Sequence, residues 1–130
     1  MPKAQPVDIR NASRLESEQT LDRSRVTELL HPRKDRINGY SLAQAVVPPG
    51  ASTLRHAHRQ SEETYYILDG QALMELAGES ERVGPGDAIL IPAGAPHRIT
   101  AVWPNELVLL CICRPAYADD DTDILEPVAV

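Results

Sequence analysis

The 130-residue sequence predicts an all-β domain, an antiparallel sandwich or barrel preceded by a short, partly irregular N-terminal segment. Turn-forming clusters recur at short intervals: Asn38-Gly39, Pro48-Pro49-Gly50, Asp69-Gly70, Gly84-Pro85-Gly86, Pro92 to Pro96 and Pro104-Asn105. Between them lie short runs rich in Val, Ile, Leu, Thr and Tyr, with no helical stretch of about 10–15 residues to form a βαβ unit. The composition, 42% hydrophobic and 25% charged, is that of an ordinary globular chain of one-domain length.

Taken in order, residues 1–24 form a polar, weakly patterned N-terminal segment. Within it Ser13-Arg-Leu-Glu16 has the form of a capping box and predicts a short helix. The barrel is expected over residues 25–115. Val26 to Leu30 reads as its first strand, ended by His31-Pro32, with His31 a solvated loop residue. Further strands are expected at Tyr40–Val47, Thr53–His58, Thr64–Asp69, Ala72–Leu76, Ala88–Ile91, Arg98–Val102 and Leu107–Cys113. The last run is apolar at every position, so both of its faces need cover. The barrel interior supplies one, and a second subunit in a homodimer supplies the other. Residues 116–130 carry Asp119-Asp120-Asp121 and Asp123 and read as a solvated, acidic C-terminal tail. The spaced ligands and glycine of a calcium loop are missing there.

Charge and composition exclude several classes of function. The net charge is −6, with +2 on residues 1–36 and −8 on residues 37–130, so a broad basic surface for nucleic acid is not expected. The N-terminal segment is also too short for a helix-turn-helix reader. No run approaches the roughly 18–20 apolar residues of a membrane-spanning helix, and Met1 to Arg10 lacks the apolar core of a signal peptide. Two cysteines allow at most one disulfide, and a cytoplasmic location is expected. Phe is absent, so the core must be aliphatic.

The four histidines carry the chemistry. His56 and His58 are two apart, and on a strand such residues share a face about 6.6 Å apart. Two imidazoles at that spacing can converge on one ion at metal–nitrogen distances of about 2.0–2.1 Å. Glu62 and Glu63 follow on opposite faces of the next strand, so one of them points inward with the histidines. His97 follows the tight Pro92-Ala-Gly-Ala-Pro96 loop, which aims it back towards the same point.

These residues stand in two motifs. Residues 50–70 run Gly, five residues, His-x-His, four residues, Glu, six residues, Gly; residues 86–97 run Gly, five residues, Pro-x-Gly, two residues, His. In this register and order they resemble the two motifs of the cupin family. The second motif normally closes with Asn, where this chain has Ala101. The resemblance implies a double-stranded β-helix, or jelly-roll barrel, with a metal in its mouth. It also selects Glu63 over Glu62 and implies His56, His58, Glu63 and His97 as the metal ligands. An Ala101→Asn exchange is expected to be tolerated if the site follows the family.

Three imidazoles and one carboxylate suit a divalent transition metal: Fe, Mn, Ni, Co or Zn all accept such a donor set. Against a divalent ion the four ligands leave a net charge of about +1, and octahedral coordination would leave two open positions for a small oxygen-chelating organic molecule. A redox metal would support a dioxygenase; a Lewis-acid metal would support an isomerase or lyase. The latter also needs an acid–base group, for which Tyr65, Glu75, Arg98 and Glu62 are candidates, with Tyr65 favoured because it shares the face of Glu63. Leu54, Ile67, Ile89, Ile91 and Ile99 are expected to give the pocket an apolar wall, and Gln44 is a further pocket candidate. Cys111 and Cys113 share a strand face and are expected to pack as small hydrophobes. The competing readings are a non-catalytic cupin that binds a small ligand and a structural cupin stabilised by its metal.

Overall fold

The computed structural model describes residues 6–126 and is built almost entirely of antiparallel strands. In chain order these are β1 (Glu18–Gln19), β2 (Arg25–Leu30), β3 (Ser41–Val47), β4 (His56–His58), β5 (Glu62–Asp69), β6 (Ala72–Leu76), β7 (Glu79–Val83), β8 (Ala88–Ile91), β9 (His97–Ala101), β10 (Leu107–Arg114) and β11 (Thr122–Ile124). One sheet has the order β1-β2-β3-β10-β5-β8 and the other β11-β4-β9-β6-β7. The jelly-roll barrel expected from the sequence is thus the fold. No helix among the described residues is long and apolar enough to cross a membrane.

Strand alternation sets what lies inside. On β3, Ala45 and Val47 turn inward, and on β10, Leu107 and Leu109 do so; with Ile67 and Ile99 they form an aliphatic core. On β10 the intervening Val108, Leu110 and Ile112 turn outward, opposite Val46, Gln44 and Leu42 of β3. Gln44 therefore faces away from the barrel interior, contrary to the pocket role considered for it, because Ala43 and Ala45 occupy the inward positions. The hairpin between β5 and β6 depends on Gly70: its φ is +87°, and a Cβ there would lie 2.3 Å from the Glu106 carbonyl oxygen.

Four local expectations need correction. The Ser13 capping box does not form. Asn11 instead caps a 3-10 turn at Ala12–Arg14, its side chain accepting from the Ser13 backbone N–H and from the Ser13 hydroxyl. His31 is buried rather than solvated, its Nε2 2.8 Å from the Tyr117 carbonyl while its Nδ1 accepts from the Arg33 N–H. The strand expected from Thr53 is confined to His56–His58, because Thr53 and Leu54 bond elsewhere: the Thr53 hydroxyl accepts from Ile99 N–H and Leu54 N–H donates to the Asp22 carbonyl.

The fourth concerns the acidic C-terminal residues, which are not merely a solvated tail. After a 3-10 turn at Asp119–Asp121, β11 pairs with β4, placing Thr122 opposite His58 and Ile124 opposite His56. The Asp121 carboxylate accepts the Gln60 and Ser61 N–H groups and so fastens this segment to the loop before β5. Residues 127–130 of the expected tail lie outside the described residues.

Candidate metal centre

The barrel brings together side chains from three stretches of chain. His56 and His58 lie on β4, Glu63 on β5 and His97 on β9, and all four are buried. His56 stands directly opposite His97 in the ladder. One ligand atom from each of the four residues lies within 4.8 Å of the others. The Glu63 Oε1 is 3.3 Å from Nε2 of both His58 and His97.

The partners of the far ring nitrogens decide what the near ones can do. His56 Nδ1 is 2.7 Å from the Leu54 carbonyl and His97 Nδ1 is 2.9 Å from the Ala95 carbonyl. A carbonyl only accepts, so both Nδ1 atoms carry hydrogen. His58 Nδ1 is 3.0 Å from the Thr122 hydroxyl, which itself donates to the Ala118 carbonyl. The threonine proton is thereby committed, and His58 Nδ1 is also the donor. In the neutral rings all three Nε2 atoms then hold lone pairs; those of His58 and His97 face Glu63 and that of His56 faces Asp22, within the same cluster. This is how histidine ligands are oriented for a cation.

The site also leaves a polar deficit. Glu63 Oε1 and His97 Nε2 are buried without a hydrogen-bond partner. Such groups are costly in a protein interior, and a cation between them would satisfy both. Burial pushes the Glu63 carboxyl up, but His58 and His97, when they carry a proton on Nε2, outweigh it and hold it at about 2. Burial, together with neighbouring His97, pushes His56 down and favours its neutral form. The donor set therefore fits a divalent transition metal.

A cavity opens beside this cluster. Its apolar wall comes mainly from Val26, Ala43, Ala45, Val47, Ile99 and Leu109. Of the five residues expected to form that wall only Ile99 does so; Ile67 and Ile91 belong to the core. Tyr65 lines the cavity, with its ring centroid 5.9 Å from that of His97, and burial drives its hydroxyl well above the usual tyrosine range. The other acid–base candidates are engaged elsewhere: Arg98 pairs with Glu75 at 2.7 Å, and Glu62 pairs with Arg114 at 2.7 Å.

Sequence reasoning missed three contributors. Cys113 is not simply packed in the core, for its thiol donates to Glu63 Oε2 at 3.3 Å. Thr122 fixes His58, as described above. Asp22, from the polar N-terminal segment, places Oδ2 3.4 Å from His56 Nε2. None carries a motif signature: Cys113 and Thr122 reach the site through strand pairing distant in sequence, and Asp22 through a loop bonded to Leu54.

The Cupin domain family matches residues 43–113, which hold both motifs and all four ligand candidates. This chain belongs to the cupin family. The cupin is 47% identical over 107 residues to the uncharacterized protein MJ1618 of Methanocaldococcus jannaschii, covering 82% of this chain and 86% of that protein. It is 26% identical over 82 residues to quercetin 2,3-dioxygenase of Bacillus subtilis, covering 63% of this chain but only 24% of that enzyme. Among solved structures, a Streptomyces PAC13 variant with uridine superposes with a TM-score of 0.77 at 15% identity, covering 96% of this chain and 95% of that one. That likeness concerns the fold.

Proposed function

We propose that this cupin is a metal-dependent enzyme acting on a small organic molecule that chelates through oxygen, with His56, His58, Glu63 and His97 holding the ion. The observation that carries the reading is the convergence of three Nε2 lone pairs and an unpartnered carboxylate oxygen, all buried, on one point. A bound redox metal would supply dioxygenase chemistry, and a Lewis-acid metal would supply isomerase or lyase chemistry. Tyr65 is the residue proposed to act on the substrate. Held as a neutral phenol by burial, it donates a hydrogen bond to a substrate oxygen rather than removing a proton. The apolar wall excludes water from that contact and selects against highly hydrated ligands.

Elemental analysis tests the ligand assignment. Wild-type protein should carry close to one transition-metal ion per chain, and Ala at any of the four positions should lower that content several-fold. Equal metal content in all five proteins overturns the assignment. An oxygen electrode with chelating phenols and hydroxyketones then separates the two chemistries. Tight ligand binding without turnover under either metal would favour the non-catalytic binding cupin instead.

The outer face of the six-stranded sheet supports the proposed homodimer. Tyr66, Leu68, Leu90 and Ile112 are exposed there, next to the partly buried Leu42, Val46, Val108 and Leu110. An apolar face of this extent is ordinarily covered. Light scattering at micromolar concentration should report twice the 14.3 kDa chain mass, and Leu110→Lys should return the monomer. A wild-type monomer would reject the dimer.

A further inference from the structure

The hairpin between β1 and β2 is a five-residue loop, Thr20 to Ser24, that turns into the mouth of the metal centre. Its conformation is tightly specified. Arg23 sits at φ +74°, a left-handed geometry that a non-glycine residue adopts only under constraint. The loop closes through Thr20 N–H to Ser24 carbonyl and Arg23 N–H to Thr20 carbonyl bonds, and the Asp22 carbonyl is tied to Leu54 N–H at 2.8 Å.

The two carboxylate oxygens of Asp22 have different tasks. Oδ1 accepts from the Thr20 hydroxyl at 2.7 Å, the Ser24 hydroxyl at 2.6 Å and the Ser24 N–H at 2.9 Å. Oδ2 is left facing His56 Nε2 at 3.4 Å. Yet Asp22 is not one of the four residues whose ligand atoms cluster within 4.8 Å. Its carboxylate thus lies beside the proposed ion, on the cavity side, without completing the ligand set.

Its charge comes on top of an acidic lining. Among the described residues, the charged side chains around the cavity, besides the two histidines, are Glu18, Asp22, Glu28 and Glu63, with no lysine or arginine. Four ligands around a divalent ion leave about +1, and Asp22 at this distance brings the local sum to about zero. A dianion entering the cavity meets a neutral centre, a carboxylate in its path and no cationic side chain to pair with. A neutral ligand carrying hydroxyl or amide N–H groups meets a metal acceptor site on one side and the free Asp22 Oδ2 as hydrogen-bond acceptor on the other.

We infer that Asp22 determines substrate charge class: the site takes a neutral oxygen ligand with hydrogen-bond donors and turns away dicarboxylates. This rests on the metal reading above. The buried, unpartnered Glu63 Oε1 and His97 Nε2 are the independent sign that a ligand-bearing cation belongs at this point.

The test compares oxalate with its uncharged isostere oxamide, which has the same skeleton and chelating oxygens but carries N–H donors. Cobalt(II)-loaded protein is titrated with each, following the visible absorption bands of the ion. Asp22→Asn is the informative variant, since its remaining oxygen can still accept the three loop bonds. Oxamide, which carries no charge, should gain nothing from Asp22→Asn. In Asp22→Asn, oxalate should tighten about tenfold, the equivalent of about 1.4 kcal/mol, while cobalt stoichiometry stays unchanged. Asp22→Glu, which keeps the charge, should retain the wild-type oxalate affinity. Unchanged oxalate affinity in Asp22→Asn, with cobalt still bound, overturns the role of Asp22 and leaves the metal centre standing. Failure of wild-type protein to bind cobalt overturns the metal reading and this inference with it.

Discussion

Each histidine of the site offers one nitrogen to the cluster around Glu63 and has the other fixed by a specific acceptor, and those acceptors differ in kind. His56 and His97 use carbonyls of their own loops two residues back, so side-chain mutation cannot remove them. His58 depends on the hydroxyl of Thr122. Thr122→Val keeps the shape and deletes the acceptor, and should weaken metal affinity about 10–100-fold, the usual effect of losing such an orienting partner. Thr122→Ser should restore most of it, and competition against a chromophoric chelator measures both. His31→Ala should do the opposite. It leaves Tyr117 and Arg33 backbone groups unpaired and should lower unfolding stability by about 1–3 kcal/mol, with metal stoichiometry intact. Ala101 also changes meaning once its surroundings are known. It is 1% exposed within the aliphatic core, so Ala101→Asn buries an amide without a partner and should destabilise by about 1–3 kcal/mol, contrary to the tolerance expected from motif comparison. The convergence of the three histidines was legible because their spacing follows from strand geometry and a short loop, and the cupin resemblance chose Glu63 over Glu62. Asp22, Cys113 and Thr122 were not legible, because their approach depends on contacts between residues 34 to 64 positions apart, which no local pattern encodes.

At the scale of elements, the strands with alternating or continuous apolar character were readable to within one or two residues, apart from β4, which starts three residues later than expected, and the polar ones were not. β7, Glu79–Val83, is almost entirely exposed along its length and forms the edge of the five-stranded sheet. With no buried face it has no periodic signature; what places it is the in-register pairing with β6 through a two-residue turn at Ala77-Gly78. Both turn residues have positive φ, +49° for Ala77 and +86° for Gly78, the geometry that hairpins prefer and for which Asn-Gly is the usual sequence. Ala77 is thus held where its Cβ is unfavourable. Ala77→Asn should stabilise the protein by about 0.5–1 kcal/mol, seen as a higher Tm with no change in metal binding. β11 escaped detection for another reason: the aspartates before it suggest solvation, whereas Asp121 is a backbone acceptor that starts the strand.

For the whole molecule, the site couples ligation to stability. Among the described residues, Glu63 Oε1 and His97 Nε2 are buried without a partner, and an ion that binds only the folded state stabilises it by mass action, about 2.7 kcal/mol at a hundredfold excess over Kd. Chelator should therefore lower Tm and zinc or cobalt should raise it. That increment should shrink on acidification, since protons compete with the ion for imidazole lone pairs. In the metal-free chain burial lowers His58 but Glu63 more than offsets it, so its proton affinity is raised, whereas that of His56 is lowered. His58 should then be the first ligand lost as pH falls, and a His58-selective imidazole NMR shift preceding that of His56 would show it. The same order reversed would contradict the assignment of Glu63 as the partner of His58.

The strand Thr122–Ile124, laid beside His56–His58, bears on how the protein is made. Synthesis runs from the N-terminus, so all four candidate ligands leave the ribosome well before the hydroxyl that sets the second ring. Until that last strand docks, the His58 ring is free to rotate and to carry its hydrogen on either nitrogen. Capture of an ion at the proposed site would thereby wait for that strand, when the pocket has the shape that discriminates among cations.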